Sequence, residues 1–305
     1  MFELVFQNIV NALQWGSFYS LIALGYCLVY GVLSLINFAH GDIFMVGAYI
    51  AFFVATVLIG STTLALPHWG IIAVTVPLTM ILTAGVGVFI ERVAYKPLRN
   101  KGAHKLYVVI TSLMCGLILE NGNLALLGAS RKKFPELLDK VIYTFAGVSI
   151  TNLKIIVVVT APLVFLFLQF IVTKTRVGMA MRAISYDRMA VPLMGIPIDF
   201  IIIITFALGS SMAGLAGLLF AMSYPVLEPY MGALMGWKAF IAAVVGGIGD
   251  IRGAFVGGFF LGFLEILVVA VFPSAFRDLI AFAILLVILS LRPTGLFGVA
   301  KTTKI

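Results

Sequence analysis

Charge is scarce in this chain: 10% of its 305 residues are Asp, Glu, Lys or Arg, against roughly 25% in an ordinary soluble domain. Residues 4–41 carry none, and neither do residues 43–90. A soluble fold of this size needs polar side chains on its surface. Cytosolic enzymes, secreted disulfide scaffolds, disordered regulators and nucleic-acid-binding domains are therefore poor fits. Cysteine is almost absent, and Cys27 and Cys115 both fall in apolar segments, where they pack as small hydrophobes. His40, His68 and His104 are scattered without ligand spacing, so no metal centre is expected. No G-x-x-x-x-G-K-[ST], H-E-x-x-H, G-x-S-x-G or paired-Cys motif occurs, so no catalytic residue is assigned and no phosphate-cradling loop is present. If ATP drives this protein, another polypeptide hydrolyses it.

What the chain does have is apolar length. Hydrophobic residues make up 62% of it, and the mean hydropathy is +1.17. Each charge-free run exceeds the ~18–20 residues that cross a bilayer as a helix. Backbone groups in lipid must be satisfied internally, so long apolar runs without alternation read as helices. Spans are expected at about 8–36, 43–60, 71–90, 106–127, 155–173, 200–223, 237–249, 253–272 and 274–291. The fold class is all-α: a polytopic transmembrane bundle of eight or nine crossings, forming one membrane domain over residues 1–305. The first span is longer than one crossing needs, which implies tilt or a bend. Residues 237–249 are short for a full crossing. The opening MFELVFQNIV lacks a basic n-region and a small-residue cleavage site, so a removable signal peptide is not expected.

The net charge of +8 comes from short basic clusters between apolar runs. That is the pattern of the cytoplasmic bias for Lys and Arg rather than of a nucleic-acid surface. With residues 91–105, 174–199, 250–252 and the tail from Arg292 on the cytoplasmic side, that side holds 13 basic residues. The other side holds 7: five in 128–154, plus Lys238 and Arg277. The N-terminus is then outside and the C-terminus inside.

Small residues recur every four positions at Gly209, Ala213 and Gly217, and again at Ala254, Gly258 and Gly262. This spacing puts them on one helix face, where backbones approach closely. Such faces are packing seams, some of which slide during conformational change. The run Val245-Gly246-Gly247-Ile248-Gly249-Asp250-Ile251-Arg252-Gly253 superficially resembles a dinucleotide fingerprint, but its spacing is one residue too long and no strand–helix unit surrounds it. It reads as a tight turn between membrane helices.

Polar groups inside apolar runs are the functional candidates. Glu120, followed by Asn121 and Asn123, lies in the second half of the 106–127 span. It is either water-facing and functional, or near the outer interface and paired with a basic residue such as Lys132. Glu265 lies midway along 253–272 and is expected to make an interhelical hydrogen bond in its protonated form. Asn37-Phe38-Ala39-His40-Gly41-Asp42 interrupts the apolar N-terminal third. Here Gly41 permits a break and Asp42 is placed to cap a helix starting near Ile43. Alternatively, a broken helix presents its N-terminus to a substrate. The translocation-path candidates are thus Asn37, His40, Gly41, Asp42, Glu120 and Asn121.

These residues resemble a known family. Tyr19-Ser20-Leu21-Ile22-Ala23-Leu24-Gly25-Tyr26, Tyr30-Gly31-Val32, NFAHGD and Met45-Val46-Gly47-Ala48-Tyr49 are similar to the opening of branched-chain amino-acid ABC importer permeases of the LivH type. Thr175-Arg176-Val177-Gly178, Arg182-Ala183, Ala190 and Gly195-Ile196 resemble the family's cytoplasmic loop. Ala213-Gly214-Leu215-Ala216-Gly217, Gly236-Trp237-Lys238-Ala239-Phe240, VVGGIGDIRGAFVGG and Arg292-Pro293-Thr294-Gly295 continue the match to near the C-terminus. The resemblance implies a multi-pass subunit of the prokaryotic inner membrane that carries Leu, Ile or Val. Its implied partners are a second homologous permease, two cytoplasmic ATPases holding ATP and Mg, an extracytoplasmic binding protein and membrane lipid, with no nucleic acid and no cofactor in this chain.

By the same resemblance, residues 174–199 are the segment that docks on an ATPase, through Thr175, Arg176, Gly178, Arg182, Ala183, Asp187, Ala190 and Gly195. A short helix is expected over roughly 178–191, although no clean apolar stripe marks it. Pro192 and Pro197 bound the segment. Glu120 stands where such permeases are expected to carry a neutral amide, and the basic 128–154 loop is not among the parts matched. Permeases for urea and short amides share the framework. A stand-alone secondary carrier and a channel are the rival classes: the first needs coupling groups that the chain largely lacks, the second a polar pore for which NFAHGD is the one candidate.

Overall fold

The computed structural model describes residues 2–60, 67–145 and 147–298. Part of the loop expected at 61–70 and the basic tail residues Lys301 and Lys304 lie outside these. Helix α1 spans Phe2–Leu33, α2 His40–Gly60 and α3 His68–Ile90. The chain continues through a π-helical turn, Glu91–Tyr95, into α4 at Lys96–Asn100. Then follow α5 (Lys105–Leu127), strands β1 (Lys132–Lys133), β2 (Ile142–Phe145) and β3 (Val148–Thr151), α6 (Asn152–Lys174) and α7 (Arg176–Tyr186). Last come α8 (Ile198–Ser223), β4 (Val226–Leu227), α9 (Met231–Gly247), α10 (Ile251–Val271) and α11 (Arg277–Leu291). Among the described residues, eight helical segments are long and apolar enough to cross a membrane, and Met231–Gly247 is a shorter ninth.

The 32 residues of α1 extend about 48 Å at 1.5 Å per residue. That exceeds the ~30 Å hydrocarbon thickness of a bilayer. The first turns meet β3, where Gln7 donates to Ser149 O at 3.2 Å and accepts from Ser149 N at 2.9 Å. From Ser17 to Val29, α1 is buried on every side, as a helix apolar all round should be. Glycines let its neighbours close in. Gly258 and Gly262 of α10 face the α1 backbone at Ser20 and Gly16, while Gly209 of α8 faces Gly25. A Cβ at Gly217 would sit 2.5 Å from Phe44 O of α2. Ala213 and Ala254 are fully buried on the same faces.

The 128–154 loop carries structure that its sequence did not announce. β2 and β3 form an antiparallel hairpin, and β1 pairs antiparallel with β4. Phe134, Leu137 and Leu138 pack with Met45, Tyr49 and Met222, so the loop is a cap over one end of the bundle. At the other end, the segments assigned to the cytoplasm converge on one cleft of about 940 Å³, lined in part by Ser34, Lys105, Thr173, Arg182, Asp250, Arg252 and Thr294. The glycine-rich run does form a turn between helices: Gly247 and Gly249 have φ of +114° and +100°. Asp250 caps α10 by accepting from Arg252 N at 2.8 Å.

Candidate functional site

Helix α1 stops at Leu33, Ser34 adopts φ +52°, and the chain runs irregularly to Ala39 before α2 begins. Non-helical backbone inside a membrane protein must be received by other protein groups, and here it is. Phe38 N donates to Ser112 Oγ of α5 at 3.3 Å, and His40 N to Asn37 O at 3.2 Å. Tyr95 of the π turn donates its hydroxyl to Asn37 Oδ1 at 2.6 Å. Because α2 starts at His40, Asp42 lies in its first turn and does not cap it. The expected start near Ile43 was late because the Asn37–Ala39 turn itself supplies the first acceptors. A carboxylate in that turn still complements the helix dipole.

Asp42 is 8% exposed and its Oδ1 has no partner among the described residues. It lines a cavity of about 320 Å³ between α2, α5 and α9, together with Gly41 and Glu120. Tyr26, Phe38 and Trp237 form one wall, and Leu113, Met114 and Leu117 another. Glu120 makes no ion pair with Lys132 or any other described residue; Lys132 is held in β1, opposite Leu227. The other path candidates fall elsewhere. His40 is buried edge-on against Tyr26, centroids 4.7 Å apart, and Asn37 is taken up by Tyr95. Asn121 is exposed and donates back to Leu117 O at 2.8 Å.

Glu265 makes the expected interhelical hydrogen bond, from Tyr19, and it also has cations beside it. Lys238 Nζ lies 2.9 Å from Glu265 Oε1 and 2.7 Å from Asp278 Oδ1, and Tyr19 donates to Glu265 Oε2 at 2.8 Å. Arg277 stands 3.8 Å from the same carboxylate, its guanidinium 5.8 Å from the Trp15 ring centre. Lys238 was counted among residues outside the membrane. It is instead buried, because α9 starts at Met231 and places Lys238 two turns inside. Sequence reading missed this cluster, since its members lie on four helices.

The loop at 174–199 folds into α7, a bend and a short 3-10 turn at Val191–Met194. Thr175 caps α7, accepting from Gly178 N at 3.1 Å, while its hydroxyl donates to Ile171 O at 2.6 Å. The helix ends at Tyr186 rather than near 191, because Asp187 Oδ1 accepts from Met189 N and Ala190 N at 2.8 and 3.1 Å, a local alternative to helix. Ala183 O takes the Asp187 amide. Gly178 is buried on the last turn of α6, where any Cβ would meet backbone, and Arg182 donates to Val172 O from the exposed side. Gly195 turns the chain at φ +74°.

The helix is amphipathic after all. Gly178, Ala180, Met181 and Ile184 face inward, Arg176 is exposed, and from the end of the helix onward apolar side chains stand exposed. Tyr186, Met189, Leu193 and Met194 are 74 to 96% exposed. This protruding surface is tied back to the bundle. Asp199, just past Pro197, is held by Arg99 and Lys96 at 2.8 Å each, and Arg99 reaches the fully buried Glu91 at 2.6 Å. One signal for this link was in the sequence: Glu91 is the first charge after the run 43–90.

Residues 8–289 match the family described as branched-chain amino acid transport system / permease component. The chain is 38% identical over 303 residues to the high-affinity branched-chain amino acid transport system permease protein BraD of Pseudomonas aeruginosa, covering 98% of this chain and 97% of that one. It is 35% identical over 306 residues to the protein of the same description, LivH, of Escherichia coli K12, with the same coverage. A probable branched-chain amino acid transport permease of Methanocaldococcus jannaschii is 29% identical over 308 residues, covering 95% of this chain and 91% of its own.

Proposed function

The chain belongs to the family of permease components of branched-chain amino acid transport systems, and from that premise we propose that it is the permease subunit of a binding-protein-dependent ABC importer. It moves Leu, Ile and Val across the prokaryotic inner membrane as a multi-pass subunit. Its partners are a second homologous permease, two cytoplasmic ATPases and an extracytoplasmic capture protein. The observation that carries this reading is the likeness along 97% of the length of proteins named for that transport. Those names favour branched-chain amino acids over urea or short amides.

The structure supports a division of labour. Nucleotide hydrolysis resides in the partners, because this chain has no phosphate-cradling loop. Tyr186, Met189, Leu193 and Met194 form the apolar knob that seats in an ATPase groove, as exposed apolar clusters do at interfaces. Movement of α7 passes to α6 through the close seat at Gly178, and to α3 through Asp199, Arg99 and Glu91. A π turn at that junction is a common device where a helix must bend for function.

The test is leucine uptake in proteoliposomes containing this chain, its second permease, both ATPases and the capture protein. Uptake should require ATP inside and capture protein outside. Uptake by this chain alone, or by the full complex without ATP, would refute the reading.

A further inference from the structure

The geometry points to the cavity between α2, α5 and α9 as a transit subsite for the ammonium end of a zwitterionic amino acid, with Asp42 and Glu120 as its counter-charges. The inference rests on the transport reading above and deepens it. Asp42 is more than nine-tenths buried, lines the cavity, and leaves Oδ1 without a partner. Glycines flank both its oxygens: Gly116 of α5 beside Oδ2, and Gly232 of α9 beside Oδ1, where a Cβ would lie 2.9 Å away. Any larger residue at either position would cover the carboxylate, so its openness is built into two neighbouring helices.

Glu120 brings a second carboxylate into the same cavity, and no Lys, Arg or His lines it. An uncompensated charge inside a membrane protein is costly, and a second of the same sign adds to the cost. Other carboxylates buried in this bundle are neutralised in place: Glu91 by Arg99, and Glu265 by Lys238. Here the missing partner is supplied by what passes through. An alkyl ammonium supplies that charge and donates hydrogen bonds, while Leu113, Met114, Leu117, Phe38 and Trp237 offer apolar wall to an aliphatic side chain. At about 320 Å³ the cavity falls at the small end of ligand sites.

Two measurements on the complete reconstituted complex test this. In the first, Asp42→Asn lowers leucine import about tenfold and Glu120→Gln lowers it less, as loss of charged hydrogen-bond partners predicts. Capture-protein-stimulated ATP hydrolysis persists in both, and Asp42→Glu restores import. The second does not involve leucine. With Cys27 and Cys115 replaced by Ala, Ala233→Cys in the cavity wall shows a preference for a trimethylammonium methanethiosulfonate over the sulfonate reagent about tenfold greater than a free thiol shows. That excess disappears when Asp42→Asn and Glu120→Gln are added. A preference no greater than a free thiol's, or wild-type import by Asp42→Asn, would overturn the subsite while leaving the transport reading intact. A complex whose wild-type form imports no leucine, while its Ala233→Cys variant still prefers the cationic reagent, would overturn the transport reading instead.

Discussion

Glu265 and Asp42 are both carboxylates buried in the helix bundle, yet their surroundings are opposite. Glu265 is enclosed by Lys238, Arg277 and Tyr19. Asp42 sits between two glycines at a cavity wall, and the other carboxylate lining that cavity is Glu120. Burying a charge costs several kcal/mol unless it is paired, so the first arrangement holds helices together and the second stores an unmet demand. The lesson is that a charge inside a membrane domain is informative through its partners, not through its presence. Read in this way, the α9–α10–α11 cluster is scaffold and the α2–α5–α9 cavity is working surface.

The sharpest way to break that contrast is at Lys238. Replacing Lys238 by Met leaves Glu265 and Asp278 facing each other without their shared cation, and should lower stability by about 3–5 kcal/mol. Chemical unfolding in detergent measures this, and adding Glu265→Gln should recover most of the loss. A Lys238→Met protein as stable as wild type would end the scaffold reading. Gly258→Leu comes next: its side chain enters the α1 backbone at Ser20, and overpacking costs about 1–3 kcal/mol, so less assembled complex should be recovered on size-exclusion chromatography. Gly258→Ala should be milder.

On the other side of the comparison, Asp42→Asn should raise the melting temperature rather than lower it, because it removes a buried charge that no described residue answers. It removes no ion pair that the structure contains, and a large fall in stability would place Asp42 with Glu265. Smallest of all for stability are Leu193→Ser and Met194→Ser, whose side chains are 88 and 74% exposed. These should leave folding untouched while weakening retention of the ATPase subunits in pull-down, by about 1–2 kcal/mol together. Undiminished retention would take the coupling role away from that knob.

Much of the bundle was legible because lipid leaves an apolar run few choices. The ends of α5, α6 and α8 fall within a few residues of their expected places. The misses share a cause. Where polar and small residues mix, as at 37–42 and 224–236, hydropathy loses its edge, and α2 and α9 begin three and six residues earlier than expected. The hairpin of β2 and β3 rests on two four-residue strands about a turn that includes Gly147, too short for periodicity to reveal. At the site, Gly41, Asp42 and Glu120 were singled out for their chemistry, but nothing in their spacing said they would share a cavity while Asn37, His40 and Asn121 would not.

The sequence by itself determined that the chain spans a membrane and roughly where. These follow from local composition, because a bilayer acts on each segment separately. Only the tertiary structure decided which buried charges are satisfied. Tyr19 and Glu265 meet across 246 residues, and Asp42 meets Glu120 only because α2 and α5 pack side by side. Electrostatic pairing is a property of distance in space, and the chain fixes that distance only once its glycine faces have closed.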